Sequence, residues 1–331
     1  VISNESLTRL ANDSVRVEIL PLGASLHRFE VRLADGTWRN ILLGYPDLDG
    51  YRTARGKLGM SIGRYANRIA RARFTLDGVE YPLDANEAPN QLHGGSGGFH
   101  TRLWEVTGHG VNWAELTLLS ADGDQGFPGE LTVTTRYQLI PGGAQVTYHA
   151  TTTAPTAVNL TTHPYFNLNG EGSGATDRHA LVVHASRYTP TSTDGIPTGE
   201  IRDVTGSALD LRSGPLLGQA RDAAVTQGIA RKGGFDHNLV IDGQGLREHC
   251  RLTAEDGLTL VLQSDQPALQ LYGGSHFDGT QIGTSGQPYP PCAGVALEPQ
   301  NHPDAPNHPN FPSSVLRPGQ EYTTTTRWMI S

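Results

Sequence analysis

Leu131-Thr132-Val133-Thr134-Thr135-Arg136-Tyr137, followed by Val146-Thr147-Tyr148-His149-Ala150, sets the fold class. Side chains in both stretches alternate in character residue by residue, the period of an extended chain with one buried face rather than of a helix. Val15-Arg16-Val17-Glu18-Ile19 repeats the pattern near the start of the chain. Leu269-Gln270-Leu271-Tyr272 repeats it later and puts Gln270 and Tyr272 on a common face. The tail from Tyr322 to Ile330, with four consecutive threonines, has the β-branched composition of another strand.

Asp-Gly pairs punctuate these strands. Phe74-Thr75-Leu76 and Val79-Glu80-Tyr81 flank Asp77-Gly78, and both central residues of a type I′ turn need positive φ, which Asp-Gly tolerates. Asp35-Gly36 and Asp256-Gly257 are expected to form similar hairpins. Only Pro215 to Gln227 has a helix-like composition. With 40 glycines and 21 prolines, roughly 18 % of the chain against a usual ~12 %, many turns and few long helices follow. No linker, charge block or repeat divides the 331 residues, so residues 1–331 are expected to form one large antiparallel β domain.

Composition excludes several function classes. The net charge is -8, and no basic stripe suggests nucleic acid. Mean hydropathy is -0.37, and no apolar run is long enough to span a bilayer. The 25 cationic residues are nearly all Arg; only residues 57 and 232 are Lys. Cys250 and Cys292 could pair, but they fit no zinc or redox spacing, and two buried thiols are expected. A monomer in the cytoplasm is expected, with a periplasmic or secreted location left open by any signal peptide removed before Val1.

The chemistry lies in polar loops rich in His and aromatics, where a rigid sheet scaffold usually carries its binding groups. In Gly63-Arg64-Tyr65-Ala66-Asn67-Arg68-Ile69-Ala70, Arg68 offers a fork of donors and Asn67 both donates and accepts, a combination suited to hydroxyls or carboxylates. In Asn90-Gln91-Leu92-His93-Gly94-Gly95, two glycines let backbone approach a ligand beside His93. His163 stands before Pro164 in Asn159-Leu160-Thr161-Thr162-His163-Pro164-Tyr165-Phe166-Asn167-Leu168. Tyr165 and Phe166 are expected to form an apolar wall there, and His is the side chain best suited to give a proton near neutral pH. Asp236 in Gly233-Gly234-Phe235-Asp236-His237-Asn238 is placed to accept from neighbouring hydroxyls, and Gln270 to reach a pocket from its strand. Glu298 ends the apolar run Val295-Ala296-Leu297, and apolar neighbours raise a carboxylate pKa toward that of a useful base. Neither His93 with His100 nor the loop from His302 to His308 has the spacing of a metal site, and no metal or other cofactor is expected.

In this order the blocks 63–70, 90–95, 159–168, 233–238 and 297–307 resemble the aldose 1-epimerase (galactose mutarotase) family. Phe74-Thr75-Leu76-Asp77-Gly78 and the ending Arg317-Pro318-Gly319-Gln320-Glu321-Tyr322 agree with it, so the likeness runs from about residue 15 to the C-terminus. The resemblance implies a large antiparallel β-supersandwich of galactose mutarotase type with an open sugar cleft. It also implies cofactor-free interconversion of the α and β anomers of free aldoses such as galactose and glucose. It casts Glu298 as the base at the anomeric hydroxyl and His163 as the acid at the ring oxygen, and His93, Asn67, Arg68, Asp236 and Gln270 as sugar-binding positions. One departure stands out: Pro164 follows the His where many relatives carry Thr or Ser, and it lacks an N–H. Two alternatives accompany this expectation. A hexose-phosphate 1-epimerase would want extra cations at the cleft, but Arg64, Arg68 and Arg71 are expected to face different ways. A non-catalytic carbohydrate-binding protein would have no need of an acid–base pair.

Overall fold

The computed structural model describes residues 7–53, 56–230 and 234–331. Gly233, the first residue of the Gly-Gly-Phe-Asp block, lies outside the described residues. Three sheets carry the architecture. The largest has eight strands in the order Glu105–His109, Trp113–Ser120, Leu131–Ile140, Gly143–Thr152, Tyr322–Ile330, Thr259–Ser264, Arg247–Thr253 and Ala180–Val183. A six-stranded sheet runs Tyr165–Phe166, Val295–Gln300, Ala268–Tyr272, Asp236–Ile241, Ala185–Thr189 and Arg202–Asp203. Thr8–Ala11, Val15–Leu20, Ser25–Arg32 and Trp38–Asn40 form a four-stranded sheet. Every strand pair within these sheets is antiparallel.

The alternation read from sequence is the packing code. Leu131, Val133, Tyr137 and Leu139, with Val146, Tyr148, Ala150 and Trp328, form the apolar face of the large sheet. They share one core with Val17, Ile19 and Phe29 of the small sheet and with Leu239, Leu269, Leu271, Val295 and Leu297 of the six-stranded sheet. Burying each Leu, Val, Ile or Phe side chain among them stabilises the fold by about 1.5–3 kcal/mol before chain entropy is counted. Because strand side chains alternate, the six-stranded sheet turns its other face, with Asp236, Asn238, Gln270, Tyr272 and Glu298, away from that core. That second face is the floor of the cleft.

Among the described residues helix is confined to Leu48–Thr53, Leu217–Thr226 and short 3₁₀ turns. The longer helix is the one expected within Pro215–Gln227. Among the described residues no helix is long and apolar enough to cross a membrane. Cys250 and Cys292 are both free and buried.

The Asp77-Gly78 hairpin forms as expected, with φ of 51° and 81° at the two turn residues. The other two Asp-Gly pairs differ. At 33–37 and 254–258 only the glycine is left-handed, with φ of 85° at Gly36 and 90° at Gly257. The Leu33 and Ala254 N–H groups donate across three-residue loops to Thr37 O and Leu258 O. There the aspartate instead accepts from the following backbone, Asp35 Oδ1 from Thr37 N–H and Asp256 Oδ1 from Leu258 N–H.

Gly59 sits where the small sheet meets the strand-end segment that carries His163. Its φ is 66°, and a Cβ there would stand 1.9 Å from Leu26 O. Gly59→Ala is therefore expected to cost about 2–4 kcal/mol of stability, through left-handed strain plus a backbone clash that no side-chain rotation relieves. Chemical denaturation of the variant against wild type checks this, and a change below half a kcal/mol would contradict it.

Candidate active site

The floor of the cleft follows from sheet register. Glu298 pairs with Gln270, and Gln270 pairs in turn with Asn238. Asp236 lies diagonally from Gln270 on the same face, and Gln270 Nε2 donates to Asp236 Oδ1 at 2.6 Å. That bond fixes the amide of Gln270 and leaves its Oε1 without a partner. Glu298 is 2 % exposed, on a strand whose residues are all buried.

His163 reaches Glu298 by the same register. Tyr165 pairs with Ala296, so stepping back along the antiparallel ladder brings His163 opposite Glu298. Pro164 cannot donate to a ladder. His163 is instead held by its neighbours: its N–H donates to Met60 O, and Gly59 N–H donates to His163 O, each at 2.9 Å. The imidazole stacks on Tyr165 at 5.0 Å between ring centres. Its Nε2 lies 3.4 Å from Glu298 Oε1. His163 Nδ1 and Glu298 Oε2 are buried without a partner.

His93 comes from a separate loop, and its ring sits edge-on to His163 at 5.5 Å between centres. Its φ of 54° and that of Asn67, 64°, are both left-handed, and the two residues are bonded to each other. Asn67 N–H donates to His93 Nδ1 at 3.1 Å, and His93 N–H donates to Asn67 O at 2.9 Å. Since Nδ1 accepts, the neutral ring carries its proton on Nε2 and is a donor there. The left-handed turn at Asn67 also explains how two successive residues, Asn67 and Arg68, both line the cleft. Arg68 is held in a fork by Glu87, with contacts of 2.6 and 2.9 Å, and lies 3.8 Å from Asp236.

All seven residues named from the sequence, Glu298, His163, Asn67, Arg68, His93, Asp236 and Gln270, line a single cleft of about 560 Å³. That volume falls in the range of small-molecule sites, and its lining mixes rings with hydrogen-bonding groups. Burial dominates the electrostatics. It drives the Glu298 carboxyl well above its usual pKa, Asp236 adds to this, and Lys57 opposes it. Burial likewise lowers His163 to about 3, with Lys57 and His276 pushing the same way. His93 is held well below the usual histidine value, again chiefly by burial. Burial thus disfavours the charged form of each, and their 3.4 Å approach lets one proton pass between Glu298 and His163.

Other sequence expectations change. Tyr165 does line the cleft, but Phe166 does not form the wall with it. Adjacent strand residues face opposite ways, and Phe166 packs in the core 6.4 Å from Trp328 and 6.5 Å from Phe29. Arg64 is buried away from the cleft, bonded to Ser120 Oγ and to the carbonyls of Ser120, Ala121 and Pro128. Tyr272 lines the cleft too, on the face it shares with Gln270, while Glu87, Lys57 and His276 also line it and were not anticipated. No group of three or more metal-type ligands occurs among the described residues.

Comparisons with known proteins agree with this architecture. The family model for aldose 1-epimerase matches residues 6–328. The chain is 40 % identical over 327 residues to a galactose mutarotase of Bos taurus, covering 98 % of this chain and 93 % of the relative. It is 38 % identical over 332 residues to the aldose 1-epimerase of Escherichia coli, covering 98 % and 94 %. Among solved structures, a GalM/aldose epimerase homologue from C. elegans superposes with a TM-score of 0.90 at 29 % identity, covering 98 % of both chains. The galactose 1-epimerase of Lactobacillus acidophilus gives 0.83 at 26 % identity, covering 98 % of this chain and 93 % of that one. With a family model matched along nearly its whole length and relatives of this similarity, the chain belongs to the aldose 1-epimerase family.

Proposed function

We propose that this protein interconverts the α and β anomers of free aldoses such as galactose and glucose. One observation carries the reading: a buried carboxylate and a buried imidazole 3.4 Å apart at the floor of an open polar cleft. The names of its relatives, galactose mutarotase and aldose 1-epimerase, point the same way. Residues 1–331 act as one domain and a monomer in this proposal.

Anomer exchange needs one proton taken from O1 and one given to O5. The reacting form is the tautomer with the shared proton on His163 and Glu298 ionised: Glu298 takes the first proton while His163 gives the second. The ring opens to the aldehyde, the C1–C2 bond rotates to present the other carbonyl face, and the two groups exchange roles on closure. The pair begins and ends with one proton, so no net charge is left in a buried site where charge is costly. His93 Nε2–H donates near the anomeric centre. Asn67, Arg68, Asp236 and Gln270 hold ring hydroxyls, with Glu87 fixing the guanidinium of Arg68 in place. Tyr165 and Tyr272 give the sugar's C–H surface apolar ring surface to rest on.

Polarimetry tests the reading. Crystalline α-D-galactose or α-D-glucose is dissolved at a pH and temperature where spontaneous mutarotation is slow, and optical rotation is followed with and without protein. Acceleration is expected with both sugars. No acceleration with any free aldose would overturn the assignment.

A further inference from the structure

Lys57 is one of two lysines in the chain, and the fold goes to some trouble to place it. Its φ is 50°, a left-handed backbone that is strained for a residue bearing a Cβ. Met60 N–H donates to Lys57 O at 3.1 Å, within the same turn that is bonded to the backbone of His163. The preceding residue, Gly56, passes His276 so closely that a Cβ there would stand 3.0 Å from Nε2. The Lys57 side chain is half-buried and lines the cleft together with Glu298 and His163.

Its ammonium makes no hydrogen bond or ion pair to any described residue. Arg68, the other cation lining the cleft among the described residues, is already engaged by Glu87 and Asp236. A partly buried, unpaired cation is costly, and negative charge arriving beside it offsets that cost. Glu298 Oε2 is likewise buried without a partner at the same cleft. The charged and titratable groups within reach of Lys57 are Glu87, Glu298, Arg68, His93, His100, His163 and His276.

We propose that Lys57 is a further positioning residue of the reaction, supplying the positive charge that balances the negative charge passing between Glu298 and the anomeric oxygen. This rests on the anomer-exchange reading above. During ring opening, negative charge moves between the carboxylate and O1, and a cation beside both steadies it wherever it lies. Burial and Lys57 act oppositely on Glu298 and together on His163. Removing the cation makes every proton-binding step of the Glu298–His163 pair easier. The pair then keeps its shared proton to higher pH and also gains a second proton at higher pH. Both limbs of the activity profile must move upward together.

The pH dependence of kcat for galactose mutarotation is measured for wild type, Lys57→Met and Lys57→Arg. Lys57→Met is expected to lower kcat by about tenfold or more and to shift both limbs upward by about one pH unit. Lys57→Arg is expected to restore most of the rate and the wild-type limbs. If Lys57→Met fails to fold by circular dichroism, Lys57→Gln takes its place. A rate loss with limbs unmoved, or moved in opposite directions, marks a merely structural role and overturns the proposal, as does an unchanged rate. A wild type that does not accelerate exchange overturns the anomer-exchange reading and this proposal with it; an active wild type with an unmoved variant profile overturns the role of Lys57 alone.

Discussion

Glu298→Gln is expected to lower kcat by at least about 100-fold while leaving galactose binding nearly unchanged, since a positioned base typically contributes ~10² to 10⁴-fold. The substitution is nearly isosteric. Gln keeps a hydrogen bond to O1 but cannot accept its proton. A stability measurement separates lost chemistry from lost structure. The folded-state pKa of Glu298 is raised above its ordinary value by burial. A raised carboxylate pKa makes ionisation unfavourable in the fold, so at neutral pH wild type is destabilised relative to a variant without an ionisable group there. Glu298→Gln should therefore melt at the same temperature as wild type or higher. Turnover within a few-fold of wild type would remove Glu298 as the base. A large loss with an equally large fall in melting temperature would assign it to structure instead.

Much of this site was legible in the sequence because each block carries its own local geometry. Alternation placed Gln270 and Tyr272 on one face, and the register confirms that Glu298 shares it. The same rule, applied to Tyr165 and Phe166, forbids both from forming one wall, and the structure obeys it. Asn67 and Arg68 escape the rule only because Asn67 is left-handed, a conformation that Asn tolerates but that its neighbours do not announce. The turns show a similar limit. Asp77-Gly78, Asp35-Gly36 and Asp256-Gly257 look identical as dipeptides, yet loop length decides whether the aspartate turns left-handed or caps the following backbone.

Glu87, Lys57 and His276 were harder to find for a physical reason. Glu87 and Lys57 come from loops with no periodic pattern, and their relevance depends on long-range packing. Glu87 matters because it clamps Arg68, nineteen positions away in the chain. Lys57 matters because the turn at Gly59 is bonded to His163. Its only sequence signal was rarity, one lysine of two among 25 cationic side chains. His276 is packed against Tyr272 and Phe277, so its ring reads as core until the cleft beside it is seen.

His163→Asn is expected to be as damaging as loss of the carboxylate, again by about 10² to 10⁴-fold in kcat, since the acid that protonates O5 is gone. Its distinguishing mark is the shape of the pH profile. In wild type the acid limb follows gain of a second proton by the Glu298–His163 pair, and the alkaline limb follows loss of the shared one. Burial sets these limits apart, by lowering His163 to about 3 and raising Glu298. Wild type should therefore be flat through neutrality and fall on both sides. Without His163 the limb set by the shared proton is gone, and the useful form of Glu298 is the carboxylate. Residual activity should then rise with pH through the raised Glu298 pKa and stay high, with no alkaline limb. A pH–rate comparison of the two proteins by polarimetry shows this directly. If His163→Asn raises KM without lowering kcat, or keeps both limbs, His163 binds sugar and the acid must be sought elsewhere, with His93 the next donor, 5.5 Å from it between ring centres.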